Sequence, residues 1–144
     1  LDYAPCIALM ALLWEASHIP APGGLQLGGE PITWIGDNTQ KGISPDAHAV
    51  TIHAGPQFSR DYWQADSGVV AGLLLDAAAP WIGLHVKTYQ LHRWRYSHPT
   101  HTHNAPCLRV DGPAPLVFAG DAFAGPKVEG AALSGLAAAE ALSR

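Results

Sequence analysis

The sequence has few charged residues and no long apolar run. Charged side chains make up 14% of its 144 residues, and the formal net charge at pH 7 is -4. A chain without a basic excess has no electrostatic attraction to nucleic acid or to an anionic membrane surface. Because no apolar run reaches the length of a membrane span, we expect neither nucleic acid nor a membrane as a partner.

Cysteine is also scarce. Cys6 and Cys107 are too few and too far apart in sequence for a disulfide framework or a CxxC site. We expect both to be free thiols that pack as small apolar side chains. The first residues lack the basic start of a signal peptide, so we expect a cytoplasmic protein.

The sequence lacks the strand, GxGxxG turn and helix that bind the adenosine half of a dinucleotide. No glycine triplet of that spacing opens a helix. Position 1 is not Met, and the chain opens inside an apolar pattern typical of a strand. We therefore expect that an upstream part belongs to the same protein.

With 48% hydrophobic residues, the chain has enough apolar side chains for one ordinary domain with a core. Alternating or continuous apolar segments predict strands, and apolar residues at helical spacing predict helices. Strands are expected at residues 4–13, 32–35, 47–54, 81–96, 107–110 and 116–119, and helices at 58–63, 68–79 and from 127 onward. These elements predict an α+β fold with a mixed, largely antiparallel sheet, flanking helices, and a C-terminal strand and helix.

Single residues determine two of these boundaries. Asp66 or Ser67 is the expected N-cap of the helix at 68–79, and Pro80 is expected to end it.

On the strand that follows, Arg93 and Arg95 share one face, while His92, Trp94 and Tyr96 share the other. The aromatic face suits the wall of a pocket for a planar ring. An amphipathic strand whose arginine stems cover the core is the alternative.

Polar side chains in two segments could have either a structural or a functional role. Residues 36–42 gather an acid, amides, a hydroxyl and an amine directly after a strand, as ordinary solvated turns also do. His53 lies on the face of its strand opposite Val50 and Ile52, where a histidine of the sheet surface is the simpler interpretation.

Three histidines, His98, His101 and His103, have a spacing found in some metal sites. His101 and His103 share a face only in an extended chain, and no cysteine or carboxylate follows closely enough to complete a closed ligand shell. We therefore expect a surface loop rather than a metal site, with metal binding as the alternative.

The C-terminal end carries the most informative pattern. The apolar run at 116–119 predicts a short strand covered on both faces, as in a parallel sheet. A glycine-bounded turn at 120–126 follows, and then an alanine- and leucine-rich helix with Pro126 at its first position. Such a helix directs its first N–H groups and a partial positive charge beyond the strand end, where an anion can bind.

Two further features belong to this C-terminal unit. Asp121 is placed to accept hydrogen bonds from sugar-like hydroxyls, so a polyol beside an electron-rich group is the implied ligand. Gly130, Ser134 and Ala138 recur every fourth residue and form a smooth stripe that lets another backbone or a flat ring come close. A plain alanine-rich core helix is the alternative.

The run at residues 119–135 reads Ala-Gly-Asp-Ala-Phe-Ala-Gly-Pro-Lys-Val-Glu-Gly-Ala-Ala-Leu-Ser-Gly. It resembles the C-terminal flavin-binding signature of the renalase-like branch of the flavin-containing amine oxidase superfamily. Residues 35–42, 53–59 and 92–96 also resemble segments of this family, in the family's order. Together these pieces span nearly the whole chain.

The resemblance implies an FAD-dependent oxidoreductase in which hydride passes from an amine- or dihydropyridine-type small molecule to the flavin, which O2 reoxidises. It implies that Asp121 contacts the ribityl and pyrophosphate region and that Val128 and Glu129 offer backbone N–H groups to the flavin carbonyl edge. A helix N-terminus stabilises the negative charge that a reduced flavin gains there. The implied flavin-site residues are Gly120, Asp121, Gly125, Pro126, Val128, Glu129 and Ala132.

The resemblance also implies a pocket beside the flavin. The loop matching residues 36–42 lies next to the flavin in related enzymes, so Asn38 and Lys41 become candidates for substrate or flavin contacts. The implied catalytic pocket consists of Asn38, His53, Trp94 and Arg95.

The implied organisation is a substrate-domain portion at residues 1–112 and a C-terminal FAD-binding strand, turn and helix at residues 113–144. The N-terminal FAD-binding portion is then missing, so we expect the 144 residues alone to be inactive and without bound FAD. The strand at 116–119 lacks parallel neighbours, and such an open edge favours pairing with another chain. We expect the 144 residues alone either to form a homo-oligomer through this edge or to have the C-terminal unit displaced. The alternative function is a non-catalytic binding or assembly domain with a histidine-rich metal-binding loop.

Overall fold

The computed structural model describes residues 2–123 and 125–143, and its elements mix strands and helices. The strands are β1 (Tyr3–Leu13), β2 (Gly24–Gln26), β3 (Ile32–Asp37), β4 (Ala49–Ala54), β5 (Val86–Pro99), β6 (Leu108–Val110) and β7 (Leu116–Phe118). The helices are α1 (Pro56–Asp61), α2 (Ser67–Ile82) and α3 (Val128–Leu142). The predicted α+β class with a largely antiparallel sheet is confirmed.

The chain forms two compact units. One comprises Pro5–Arg95, and the other comprises Leu1–Ala4 with Tyr96–Arg144. Among residues 2–123 and 125–143, no helix combines the length and the apolar character needed to cross a membrane.

A five-stranded antiparallel sheet organises the first unit, with the strand order β2-β3-β4-β1-β5. Residues of β1 and β4 face each other in the register Leu9 to Ile52 and Met10 to Thr51. Because side chains alternate along a strand, each such pair places both members on the same face of the sheet. Leu9 and Ile52 are fully buried, so their face is the core face.

Helix α2 covers the core face. Asp66 caps the helix by accepting hydrogen bonds from the N–H groups of Gly68 and Val69, as the sequence predicted. Val70 and Leu74 of α2 are fully buried within the core cluster. The apolar residues at helical spacing on α2 thus form one side of the core, and the apolar residues that alternate along the strands form the other side.

The opposite face of the sheet is referred to below as the open sheet face. On β5 the side chain of Leu91 packs against the core, so the residues that alternate with it lie on the open side. Met10 is 38% exposed and Trp94 is 54% exposed. The open sheet face consists of Met10, Leu12, Trp34, Ala49, Thr51, His53, Gln90, His92 and Trp94.

The prediction that Pro80 ends the second helix is wrong. Pro80 lies inside α2, which continues to Ile82, and β5 begins only at Val86 rather than at residue 81. The side chain of Ile82 is buried in the core, which stabilises the last turn, while Pro80 is exposed. Gly83, with φ 72°, is the residue that ends the helix, because glycine adopts this conformation without strain.

Two predictions about the C-terminal strand and helix are also wrong. Strand β7 pairs antiparallel with β6, and its Leu116 and Phe118 are 57% and 50% exposed rather than covered on both faces. Helix α3 begins at Val128, not at Pro126. Lys127 is the N-cap and has an extended backbone, so helical geometry cannot start before it.

Candidate functional site

Five residues of the open sheet face and the adjoining loop form a connected group, which we call the Asn38 cluster. The rings of Trp34 and His53 are 5.0 Å apart between centroids, and the Lys41 ammonium lies 5.1 Å from the Trp34 ring centroid. Lys41 Nζ donates to Asn38 Oδ1 at 3.2 Å, and Asn38 Nδ2 donates to Thr51 Oγ1 at 3.0 Å. The cluster therefore joins an ammonium, an amide and an imidazole around one indole ring.

Glycine at position 36 gives the Trp34 indole its place in the cluster. A Cβ atom built on Gly36 would lie 2.1 Å from the Trp34 ring, so the indole lies directly over this residue. Gly36 faces Thr51 in the sheet register, and Trp34 faces His53. The ring is thus held over the open sheet face beside both β4 side chains.

The Asp37 carboxylate organises the loop that carries Asn38 and Lys41. Asp37 is 4% exposed and accepts hydrogen bonds from the N–H groups of Thr39 and Gln40 at 2.8 and 3.0 Å, and from Ser17 Oγ at 2.5 Å. Burial opposes its ionisation, but these hydrogen bonds outweigh burial and lower its pKa. The ionised Asp37 therefore holds the backbone of this turn through the N–H groups of Thr39 and Gln40.

His53 is half-buried within the Asn38 cluster. Burial, followed by the positive charge of Lys41, lowers the pKa of its imidazole below the ordinary value. Both causes disfavour the protonated ring, so His53 is predominantly neutral at pH 7. A neutral imidazole can accept a proton or a hydrogen bond from a ligand.

A cleft of about 270 Å³ opens beside the cluster on the first unit. It is mainly apolar, with Met10 and Leu12 of β1 in its lining, and Asn38 connects it to the cluster. Its lining residues are Met10, Ala11, Leu12, Asn38, Ala49, Val50, Thr88, Tyr89 and Gln90. Asn38, proposed from sequence as a pocket residue, is therefore at a cleft.

The other two predicted pocket residues lie on opposite faces of β5. The ring of Trp94 contacts that of His92, with centroids 4.3 Å apart, on the open sheet face. The Arg95 guanidinium lies 5.6 Å from the ring centroid of Trp63. Arg93 donates to Ala65 O and Ser67 Oγ, so the predicted division of this strand into two faces is confirmed. Arg95 does not join the Asn38 cluster.

The turn predicted to contact a flavin is part of the second unit, and its residue 124 lies outside the described residues. Gly120 and Gly125 have φ of 146° and 144°, which side-chain-bearing residues rarely adopt. Gly120 N–H donates to the fully buried Ser134 Oγ of α3 at 3.0 Å. The glycines thus let the turn lie close to α3.

Asp121 does accept a hydrogen bond from a hydroxyl, but that hydroxyl belongs to the chain itself. Tyr3 OH donates to Asp121 Oδ1 at 2.9 Å. This bond, together with burial and the carboxylate charge, raises the pKa of Tyr3. The bond orients the carboxylate.

The first turn of α3 is open to solvent. Val128 is 90% exposed, Glu129 and Ala132 are exposed, and the Lys127 side chain makes no capping hydrogen bond. Gly130 instead faces inward, because a Cβ atom there would lie 2.1 Å from Gly125 O. The predicted small-residue stripe thus admits the backbone of the preceding turn, of which Gly125 and Pro126 are half-buried.

The three histidines do not converge. Among residues 2–123 and 125–143, no group of three or more His, Cys, Asp or Glu side chains is arranged to hold a metal ion. His103 Nδ1 accepts from Ala105 N–H, and His101 Nδ1 contacts Thr100 Oγ1. These contacts are local to the segment.

Trp34 and Tyr3 are the site residues that the sequence did not indicate. Trp34 looked like an ordinary strand residue, although Gly36 two positions later is a signal of a ring lying over the backbone. Tyr3 is 118 residues from Asp121, and no local pattern links them.

No protein-family model matches the chain, and no curated protein matches it either.

Proposed function

We propose that this chain is the C-terminal part of an FAD-dependent oxidoreductase of the renalase-like amine oxidase group. The observation that carries the proposal is the exposed first turn of α3, which has no side-chain cap and follows the glycine-bounded turn that contains Asp121. Unpaired N–H groups with a partial positive charge behind them favour an electron-rich ring edge. The sequence resemblance assigns this position to the flavin.

The residues present suit one end of the cofactor. A Cβ atom on Gly120 or Gly125 would meet open space, so the outer side of the turn is accessible. Asp121 Oδ1 is bonded to Tyr3, and its carboxylate is already oriented for further hydroxyl donors. The chain carries no GxGxxG segment for the adenosine half, so another segment must supply that half.

In this proposal, bound FAD supplies hydride acceptance from an amine- or dihydropyridine-type substrate and electron transfer to O2. The N–H groups of Val128 and Glu129 stabilise negative charge at the ring edge. Asn38 and Lys41 orient the substrate, neutral His53 accepts a hydrogen bond or a proton, and Trp94 forms an aromatic wall. Arg95 supports the helical layer through Trp63.

The first test is whether the protein carries flavin. The chain is purified together with the polypeptide encoded directly upstream of it, and the visible absorption of the product is recorded. A yellow protein with flavin absorption is expected. A colourless protein, to which added FAD does not bind, contradicts the proposal.

The second test removes one N–H group. Val128 is the first residue of α3, where proline is tolerated, and extended Lys127 before it suits a following proline. Val128→Pro should therefore keep the helix and lower flavin affinity by about 1 kcal/mol, roughly fivefold, as one hydrogen bond is lost. Flavin fluorescence titration measures this change.

Val128→Ala is the matched control, because it shortens the side chain and keeps the N–H group. Its flavin affinity should equal that of the unmodified protein, and circular dichroism should show the same helix content for both variants. Equal affinities of the proline and alanine variants would show that this N–H group does not contact the flavin.

The isolated 144 residues are expected to retain no FAD, since the adenosine half has no site in them. Tight FAD retention by this chain alone would contradict the expectation that another segment supplies the site for the adenosine half.

A further inference from the structure

The cleft beside the Asn38 cluster has the dimensions of a small-ligand site. Its volume is about 270 Å³, and engineered apolar cavities of about 150 Å³ already bind benzene. Pockets for larger, drug-sized molecules begin at about 300 Å³. A ligand with one or two rings is therefore the size that fits.

The charged group at the rim of the cleft is the Lys41 ammonium. Asn38 lines the cleft, and its Oδ1 accepts from the Lys41 ammonium at 3.2 Å, which places a cation at the rim. Among the described residues that line the cleft, none is an aspartate or a glutamate. The nearby carboxylate of Asp37 is buried and satisfied by Ser17, Thr39 and Gln40.

Among the described residues, no carboxylate lies within ion-pair distance of Lys41. Within the described parts of the chain, Arg109 and Asp111 form an ion pair, and both residues are far from this loop in sequence. The Lys41 ammonium contacts the Asn38 amide and the Trp34 ring. It keeps donors free for an incoming anion, since an ammonium carries three.

We propose that the cleft and Lys41 form a binding site for a small planar ligand of one or two rings that carries a carboxylate group. The rings lie against Met10 and Leu12, and the carboxylate meets the Lys41 ammonium at the rim. Thr88 and Gln90 supply polar contacts along the β5 side. A positively charged amine is disfavoured, because Lys41 repels it and no lining carboxylate pairs with it.

This binding does not depend on a flavin. Only the statement that the ligand is a substrate rests on the function proposed above. Under that function, the substrate would carry the carboxylate and would bind as a dihydropyridine or as an uncharged amine. The neutral state of His53 agrees with this view, because the imidazole adds no second positive charge to the cluster.

The test compares two probes that share a naphthalene ring, have similar size and carry opposite charge. Binding of 2-naphthoate and of 2-naphthylmethylammonium to the 144-residue chain is measured by NMR, through the backbone amide signals of Met10, Asn38 and Gln90. The carboxylate should bind more tightly and shift these three signals. Equal or tighter binding of the ammonium probe, or shifts confined to other residues, overturns the proposal.

Matched lysine variants test the role of the rim cation. Lys41→Gln should weaken 2-naphthoate binding by about twofold to fivefold, the usual effect of a solvent-accessible ion pair. Lys87→Gln removes an equal charge from a lysine that lies over Trp14, outside the cleft lining, and should leave binding unchanged. Equal effects of the two substitutions overturn the assignment of Lys41.

Filling the cleft provides a second, independent test. Ala49 lines the cleft, so Ala49→Phe should abolish the shifts, whereas Ala47→Phe on the adjoining exposed segment should not. If Ala49→Phe fails to fold, the lysine pair still decides the outcome. Carboxylate binding by this chain, together with a colourless product when the chain is purified with the upstream polypeptide, would retain this site and reject the proposed function. A yellow product of that purification, together with no carboxylate binding by this chain, would do the reverse.

Discussion

The ring of His53 contacts the Trp34 ring, and the charge of Lys41 acts on its imidazole. These neighbours determine the protonation of His53 more than its position on β4 does. The strand pattern indicates only that His53 lies opposite the core face. The neighbours come from β3 and from the loop after it. The pKa of His53 therefore depends on the geometry of the Asn38 cluster.

His53 should make the stability of the protein depend on pH. Burial and the Lys41 charge lower its pKa in the folded state, so below about pH 6.5 the unfolded chain takes up a proton that the folded chain resists. The free energy of unfolding should therefore decrease as pH falls from 6.5 through the folded pKa. Urea unfolding on both sides of about pH 6.5, compared with His53→Gln, measures this contribution.

The same environment predicts a specific response to charge removal. Lys41→Gln should raise the His53 pKa toward its ordinary value, and Lys87→Gln should not change it. NMR titration of the His53 ring signals gives the pKa in each variant. An unchanged His53 pKa in Lys41→Gln would show that the ammonium does not act on this ring.

At the scale of elements, helix α3 has two glycines with opposite surroundings. A Cβ atom on Gly130 would lie 2.1 Å from Gly125 O, whereas a Cβ atom on Gly135 would have nothing within 4 Å. The buried glycine permits contact with the preceding turn, and the exposed one only lowers helix propensity.

The same substitution should therefore have opposite effects at these two positions. Gly130→Ala should destabilise the second unit by about 1 to 3 kcal/mol, as overpacking usually does. Gly135→Ala should stabilise α3 by about 0.5 to 1 kcal/mol through helix propensity. Amide hydrogen exchange across α3 measures both, and equal effects would mean that the helix does not contact the turn.

The C-terminal boundary of α2 shows that tertiary packing can outweigh a local sequence signal. Pro80 lies two residues before the end of α2 and removes one backbone donor, while burial of Ile82 stabilises the turn beyond it. Gly83 with positive φ then ends the helix. Sequence rules that treat every proline as a stop misplace this boundary because tertiary packing outweighs propensity.

At the scale of the whole molecule, strand β7 remains the candidate for self-association. Among residues 2–123 and 125–143, β7 pairs only with β6, and Leu116 and Phe118 are largely exposed. Unpaired strand edges with apolar side chains favour pairing with another chain. The oligomer predicted from the sequence is therefore still expected, although the strand is antiparallel and not covered.

Light scattering tests this expectation. The 144-residue chain should have a mass above that of the monomer, and Phe118→Lys should shift it to the monomer by placing a charge on the edge strand. Leu136→Lys removes a comparably exposed side chain from α3 and should leave the mass unchanged. A monomeric unmodified chain would exclude association through β7.

The sequence by itself determined the class of fold, most of the strands and helices, the Asp66 cap and the two faces of β5. These features depend on local periodicity and capping, which involve residues a few positions apart. It also indicated Asn38, Lys41 and Asp121 as polar residues at the ends of strands.

Only the tertiary structure decided which of these side chains meet. Trp34 with His53 and Tyr3 with Asp121 are contacts between residues distant in sequence, and the pairing of β6 with β7 exposes a strand expected to be buried. Such contacts depend on sheet register and on packing between elements, and the local pattern of a single strand or turn does not encode them.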